Sequence, residues 1–209
     1  MISHKHKAIF VHVPKTAGSS MRRYFEKRGF GAVEYHAPDG SNDDVTGVYV
    51  NGGAWRIKRN LLGVWDDYFK FTFVRNPWDR VVSIYQYYKH GTEPENWEFR
   101  TDDKILEPTF KEFIFGVRNE SHRLYSLVGL PQKDWLFDQD GNQLVDFIGR
   151  FEKYSDDVNK LFQKIGCNKQ IGHARKSKRG PYRDYYDDET RNIIRELCKV
   201  DIEYFGYEF

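Results

Sequence analysis

The sequence predicts an α/β fold: a three-layer, P-loop-like arrangement in which helices flank a central, mostly parallel β-sheet. Two observations favour it. Helical patterns alternate with short buried strands, which is typical of a parallel sheet covered on both faces. A strand close to the start of the chain passes through a turn of small residues directly into a helix. The 209 residues contain no internal repeat, so we expect one domain over residues 1–209.

The first predicted strand covers residues 7–13 and is rich in β-branched and aromatic side chains. The turn Pro-Lys-Thr-Ala-Gly-Ser-Ser follows at 14–20, and a helix is predicted over 18–28. A strand, a small-residue turn and a helix N-terminus form an anion cradle, because backbone N–H groups and the helix dipole point at one place. We therefore predict that a phosphate or sulfate group binds here, beside Lys15.

The cradle does not match the phosphate loop of kinases and NTPases, G-x-x-x-x-G-K-[ST]. When Lys15 and Thr16 take the last two positions of that motif, Pro14 and Ile9 stand where it has glycine. A conventional ATP loop is therefore not expected. The simpler alternative is a polar turn that only caps the helix through Thr16 or Ser19.

The second informative segment begins with a buried strand over residues 69–74, which run apolar or alternate. Asn76 is a capping residue, and Pro77 suits the first position of a helix. Apolar residues then recur at helical spacing, which predicts a helix over 77–90.

Arg75 therefore leaves the carboxyl end of a strand, and Ser83 lies about two turns into the following helix. Ligands of open α/β sheets bind at that edge. A guanidinium and a hydroxyl placed in this way can hold one phosphate from two sides. The alternative for Arg75 is an ordinary ion pair, for example with Asp79.

The remaining elements follow apolar patterns without a chemical motif. Ser155 and Gly166 give start and stop signals for a helix over 155–165. Two stretches, 36–60 and 91–108, lack a regular pattern, and long loops of this kind often hold substrates. The other predicted elements are strands over 144–149 and, more weakly, 47–50, and helices over 109–117, 121–128 and 187–204.

Composition limits the classes of partner. Lys and Arg number 33 against 31 Asp and Glu, a net charge of +2 that is too balanced for general nucleic-acid binding. No apolar run approaches the ~20 residues needed to span a bilayer. Two cysteines, Cys167 and Cys198, suit a reducing compartment, although their separation does not exclude a bridge. No metal-ligand spacing is present, and nothing indicates the oligomeric state.

The two motifs together resemble the cofactor signatures of the carbohydrate sulfotransferases. They read Val-Pro-Lys-Thr-Ala-Gly-Ser-Ser at 13–20 and Val-Arg-Asn-Pro-Trp-Asp-Arg-Val-Val-Ser at 74–83. The most similar branch includes heparan sulfate 2-O-sulfotransferase and its bacterial relatives. The resemblance continues through blocks at 131–136, 145–152 and 185–207.

The resemblance implies a sulfuryl donor, 3′-phosphoadenosine 5′-phosphosulfate (PAPS), and no required metal. Arg75 and Ser83 would hold the 3′-phosphate of the donor. A late basic segment, 173–182, would add contacts to the 3′-phosphate and adenine. Its alternatives are a solvated charge run or a contact with an anionic acceptor. The expected ligands of the 5′-phosphosulfate are Lys15, Thr16, Ala17, Gly18, Ser19 and Ser20, and those from the late segment are Lys176, Ser177 and Arg179.

Lys15 is also the first candidate for catalysis, because its charge can stabilise the oxygen that becomes negative as the S–O bond breaks. Sulfotransferases of this type commonly use a histidine or glutamate as base, and the family places a histidine between the two motifs. The resemblance thus implies His36 as the base; His12, which ends the first strand beside the cradle, is the second candidate. Either would act as a neutral imidazole near its ordinary pKa of about 6.5.

The function predicted is in-line sulfuryl transfer from PAPS to a hydroxyl or amine of a carbohydrate-like acceptor. A small-molecule kinase with a degenerate phosphate loop and a non-catalytic polyanion-binding module are the alternatives. Since eukaryotic relatives are usually anchored in the Golgi, we expect a cytoplasmic protein if the source is bacterial or viral. The Golgi lumen is expected if the chain is a trimmed eukaryotic one.

Overall fold

The computed structural model describes residues 1–27, 33–34, 53–61, 63–90, 109–120, 125–167 and 179–209. The chain divides into two compact units. The first comprises Met1–Arg75 and Gln132–Lys178, and the second comprises Asn76–Pro131 and Arg179–Phe209.

In its described part, the first unit contains a five-stranded sheet in the order β3-β1-β2-β4-β5. Its three longer strands are parallel neighbours, while the two-residue strands β1 and β3 add antiparallel pairings at one edge. The architecture is therefore α/β with a mostly parallel sheet, as the sequence predicts. The strands are β1 (Ile2–Ser3), β2 (Ala8–Phe10), β3 (Val33–Glu34), β4 (Phe69–Val74) and β5 (Phe147–Arg150).

Both faces of the central strands are buried. Phe10 and Phe71 are register partners on one face, where they pack with residues of helices α1 (Gly18–Lys27) and α6 (Tyr154–Lys164). Ile9 and Thr72 point to the other face and are equally buried. A sheet covered on both sides explains why β2 reads as a continuous apolar run and why Thr72 of β4 is buried.

Helix α6 ends in a Schellman motif. Gly166 has a left-handed backbone with φ of 66°, and its N–H donates to the carbonyl of Gln163 at 3.3 Å. The N–H of Cys167 donates to the carbonyl of Phe162 at 2.8 Å. The stop signal predicted at Gly166 is thus confirmed. The start differs by one residue, because a 3-10 helix, Phe151–Lys153, leads straight into Tyr154.

The second unit consists of helices within the described residues. Its core includes Trp78, Val82, Phe113 and Ile194, which are almost fully buried. Thr109 caps the second of these helices, where its side chain accepts a hydrogen bond from the N–H of Glu112. The helices are α3 (Pro77–His90), α4 (Phe110–Arg118), α5 (Tyr125–Gly129), α7 (Asp188–Leu197) and α8 (Lys199–Phe205), with a 3-10 helix at Tyr182–Tyr185.

The structure confirms the predicted bounds of β4 and α3. Asn76 acts as expected at the start of α3, where its Oδ1 accepts the N–H of Trp78 at 3.1 Å. The first strand, Ala8–Phe10, is shorter than the predicted 7–13, and the last covers Phe147–Arg150 instead of 144–149. The candidate strand 47–50, the loop 91–108 and part of the predicted helix 121–128 lie outside the described residues.

Two predictions were wrong. The stretch 36–60 contains a helix, α2 (Ala54–Asn60), which begins after Gly53. Gly53 makes the segment look like a loop in the sequence. The structure requires a glycine there because a Cβ would lie only 3.0 Å from the backbone of Trp135. The single helix predicted over 187–204 is two helices that separate at Cys198. The N–H of Cys198 bonds to the carbonyl of Ile194, and the N–H of Ile202 bonds to the carbonyl of Cys198, so α8 follows α7 without a connecting loop.

Candidate functional site

The carboxyl ends of β2, β4 and β5 lie side by side at one edge of the sheet. The first strand continues to His12 and the Lys15 loop (residues 13–17), the second to Arg75, and the third to Phe151. This edge therefore brings together residues that are far apart in the sequence. It is the edge at which parallel α/β sheets bind ligands.

The Lys15 loop adopts backbone angles that side chains rarely take. Lys15 has φ of 66° and Ala17 has φ of 89°. Left-handed residues within a turn direct successive N–H groups into one concavity, the geometry of an anion-binding nest. Non-glycine residues hold such angles only where the surroundings enforce them, and they concentrate at functional sites.

Hydrogen bonds stabilise the loop from within. The buried Thr16 donates its hydroxyl to the carbonyl of Val13 at 2.7 Å. The N–H groups of Ser20 and Met21 both donate to the carbonyl of Ala17 at 3.0 Å. The helix predicted over 18–28 thus begins at Gly18, and residue 28 lies outside the described part.

At the N-terminus of any helix the first backbone N–H groups have no acceptor within the helix. In this chain the groups concerned are those just before and at the start of α1. Within the described ranges, the N–H groups of residues 16–19 make no hydrogen bond to other protein atoms. Ser19 and Ser20 are exposed at this end. The arrangement can donate several hydrogen bonds to one bound anion.

Gly18 is required by the position of His12. A Cβ on Gly18 would lie 1.7 Å from Nε2 of His12. The imidazole cannot easily yield, because it stacks on Phe10 with the ring centroids 5.5 Å apart. His12 therefore packs against the first turn of α1, and only glycine fits beside it.

The pKa of His12 is lowered to about 3, chiefly by burial and further by the positive charges of the N-terminal ammonium group and Lys15. This differs from the pKa of about 6.5 expected from the sequence. The imidazole is therefore neutral at pH 7, and its affinity for a proton is low. A base with so low a pKa accepts a proton poorly from a hydroxyl.

Arg75 lies next to the Lys15 loop. Its Nη1 donates to the carbonyl of Lys15 at 3.1 Å, and the side chain is almost fully buried. The guanidinium carbon lies 3.8 Å from the ring centroid of Phe151, a close cation–π contact. The structure thus brings Arg75 and Lys15 together at one edge of the sheet, as the two sequence motifs require.

Two contacts of Arg75 come from residues that sequence reasoning did not select. Gln132 bonds to the backbone of Arg75 in both directions, and Phe151 supports the guanidinium. Both lie in the later blocks that carry the family resemblance, at 131–136 and 145–152. Those blocks could have marked them as neighbours of the site, although neither side chain suggests anion binding by its type.

Ser83 and Arg179 belong to the second unit. Ser83 lies on α3 and is half-buried. Arg179 forms an ion pair with Asp79, and both side chains are largely buried.

Three expected site residues, His36, Lys176 and Ser177, lie outside the described residues. Among the residues that the structure does describe, no three His, Cys, Asp or Glu side chains cluster as a metal site would require. No helix in the described ranges combines the length and the apolar character of a membrane span. Cys167 and Cys198 are both buried free thiols.

Comparison with known proteins adds two findings. A profile of the sulfotransferase family matches residues 1–208. An uncharacterized protein of Archaeoglobus fulgidus is 36% identical over 121 residues, which cover 56% of this chain and 85% of that protein.

Proposed function

The chain belongs to the sulfotransferase family, and from this premise we propose that its donor is PAPS and its acceptor a hydroxyl or amine of a carbohydrate-like molecule. Sulfuryl transfer in general follows from the family; the donor and acceptor are our proposal. One observation carries it: the hydrogen bond between Arg75 and the carbonyl of Lys15. It joins the two segments that would hold opposite ends of one adenosine ligand.

The residues at the sheet edge suit the anionic donor. The left-handed angles at Lys15 and Ala17, and the absence of a side chain at Gly18, leave backbone N–H groups at the start of α1 for the 5′-phosphosulfate. When bound, the donor supplies the sulfuryl group that the reaction transfers. The proposed ligands of this end are Lys15, Thr16, Ala17, Gly18, Ser19 and Ser20.

Thr16 and Ser20 would contribute by different atoms. The hydroxyl of Thr16 already donates to Val13, so only its backbone N–H serves an anion. The N–H of Ser20 donates to the carbonyl of Ala17, so Ser20 would contribute through its exposed side-chain hydroxyl. Lys15 supplies the positive charge that stabilises the departing oxygen.

The 3′-phosphate end is assigned to Arg75 and Ser83, together with Lys176, Ser177 and Arg179. A guanidinium carries five N–H donors in a planar fork that matches the geometry of a phosphate, which is the chemistry proposed for Arg75 beside its contact to Lys15. Arg179 carries the same group and forms an ion pair with Asp79. These assignments rest on the resemblance to the family.

We propose His36 as the base that takes the proton of the acceptor, with His12 as an orienting group. The lowered pKa of His12 disfavours it as the primary base. Its neutral ring, packed against Gly18, instead sets the position of the first turn of α1.

The acceptor is proposed to bind through the segments 36–60 and 91–108. We place the protein in a reducing cytoplasm, because the two cysteines remain free thiols in the cores of separate units. The single sulfotransferase domain over residues 1–209 and the heparan sulfate 2-O-like branch remain proposals of the same kind.

The first test is calorimetric titration with adenosine 3′,5′-bisphosphate and, in parallel, with ATP and Mg²⁺. We expect the bisphosphate to bind more tightly, and Lys15→Ala and Arg75→Ala each to weaken it by about tenfold or more, because each removes a charged contact. Lys164→Ala is the matched control, since Lys164 is exposed at the end of α6 in the same unit.

A transfer assay with PAPS and a panel of sugar hydroxyls and amines completes the test. Lys15→Ala should lower the rate by about 10²–10³, the loss seen when one oxyanion donor is removed. A preference for ATP with Mg²⁺ would support a kinase instead. Tight bisphosphate binding with no transfer to any acceptor would support a non-catalytic polyanion-binding module.

A further inference from the structure

The side chain of Gln132 lies beside the end of β4, where it forms hydrogen bonds with both the N–H and the carbonyl of Arg75. Its Oε1 accepts the N–H of Arg75 at 2.9 Å, and its Nε2 donates to the carbonyl of Arg75 at 2.8 Å. Gln132 has no exposed surface. An amide side chain thus replaces the neighbouring strand that would normally bond to this residue.

The two bonds determine the backbone of Arg75 where the chain leaves the sheet. Buried backbone groups that lose their partners are costly, so alternatives to this arrangement are disfavoured. The side chain of Arg75 is restricted as well, between the ring of Phe151 and the carbonyl of Lys15.

The carbonyl that Arg75 contacts belongs to a residue in the left-handed region, Lys15, with φ of 66°. Such an angle requires support from its surroundings. The hydrogen bond from Arg75 provides it from a neighbouring strand, 60 residues away in sequence. Three residues therefore form a continuous series of contacts from Gln132 through Arg75 to Lys15.

We propose that Gln132 is a positioning residue that holds the Lys15 loop in its anion-binding conformation through Arg75. It touches neither donor nor acceptor. Arg75 then has two roles, as a ligand of the donor and as the support of the loop that holds the donor's other end. The effect on donor binding rests on the proposed function, whereas the effect on the loop does not.

The first experiment measures the loop without any ligand. Hydrogen exchange of the full chain is followed at Ser20 and Met21, whose N–H groups bond to Ala17. We expect Gln132→Met and Arg75→Ala each to accelerate exchange there by about tenfold, the change expected for the loss of one supporting hydrogen bond. Gln132→Met keeps the length of the side chain but removes its donor and acceptor.

Gln143→Met is the matched control, because Gln143 also donates its amide to a backbone carbonyl, that of Val145 at 2.7 Å, away from Arg75. It should leave exchange at Ser20 and Met21 unchanged. If Gln132→Met does not fold, Gln132→Glu takes its place, since it keeps an acceptor for the N–H of Arg75. Unchanged exchange in the folded variant overturns the proposal.

The second experiment is a double-mutant cycle on binding of adenosine 3′,5′-bisphosphate. In the wild-type background Gln132→Met should weaken binding about tenfold. In the Arg75→Ala background it should have no further effect, although it still lowers the temperature of unfolding. Equal weakening in both backgrounds would mean that Gln132 acts by stability alone, and would overturn the proposal. If the wild type does not bind the bisphosphate, the proposed donor is wrong, while hydrogen exchange still decides the role of Gln132.

Discussion

At the scale of single residues, the contact between His12 and Gly18 combines packing with electrostatics. The imidazole fills the space where any other residue at position 18 would place its Cβ. The same burial, with the nearby positive charges, keeps the ring neutral. The packing of the His12 ring against Gly18 therefore fixes the distance between the end of β2 and the start of α1, on either side of the Lys15 loop.

We expect Gly18→Ala to lower the free energy of unfolding by about 1–3 kcal/mol, because the added methyl group has no room. It should also weaken binding of adenosine 3′,5′-bisphosphate. Urea unfolding and calorimetry measure the two effects.

A second substitution makes this prediction specific to the contact. Replacing the imidazole by a smaller side chain in His12→Ala makes room for the methyl group of Gly18→Ala. The double variant should therefore be more stable than the sum of the two single effects predicts. Additive losses would show that the clash is relieved elsewhere in the chain.

At the scale of the element, the end of α6 shows how much free energy of unfolding is lost when a non-glycine residue takes a left-handed backbone conformation. Gly166 has φ of 66°, and nothing lies within 4 Å of the place a Cβ would occupy. The cost of Gly166→Ala therefore comes from backbone angles alone. We expect a loss of about 1–2 kcal/mol in the free energy of unfolding, measured in urea.

Gly63→Ala serves as the comparison, because that site is also open but its φ lies outside the left-handed region. It should change stability by about 0.5 kcal/mol or less. Gly166→Asn should fall between the two, since asparagine tolerates left-handed angles better than alanine. A loss at Gly63 equal to that at Gly166 would contradict this explanation.

At the scale of the whole molecule, each unit carries one buried free cysteine. Cys167 lies in the first unit and Cys198 in the second. Burial raises the pKa of the Cys198 thiol to about 12, which keeps it protonated and unreactive in the folded protein. The two thiols can therefore report the opening of each unit separately.

The single domain expected from the sequence predicts one cooperative transition. Each of the single variants Cys167→Ser and Cys198→Ser keeps one thiol. The reactivity of that thiol towards a disulfide reagent should depend on the urea concentration in the same way in both variants. In the fully unfolded chain each thiol should react without delay. Opening free energies that differ between the two variants by more than about 1 kcal/mol would indicate units that unfold independently.

Much of the fold could be predicted from the sequence because its signals are local. The bounds of β4 and α3 follow from an apolar run and the Asn76-Pro77 start. The helix α2 could not be predicted because the glycine that precedes it, Gly53, is typical of loops. The structure gives another reason for this glycine, which is the close approach of the Trp135 backbone. The break at Cys198 was missed because the apolar period runs through it.

Some features of the candidate site could likewise be predicted from the sequence, and others could not. The positions of Lys15 and Arg75 follow from motifs at strand ends, and parallel strands bring such ends together. The role of Gln132 could not be predicted, since it depends on hydrogen bonds to a residue 57 positions away. The lowered pKa of His12 likewise arises from burial among groups that are distant in sequence.

Lys15 and Gly166 share one backbone angle, a φ of 66°. At the end of α6 the chain uses the residue that adopts this angle freely. At the mouth of the anion cradle it uses a lysine, whose ammonium group the proposed chemistry needs. Under the proposed function, backbone stability favours glycine at position 15 whereas transfer favours lysine, so a glycine there would relax the turn and slow the reaction.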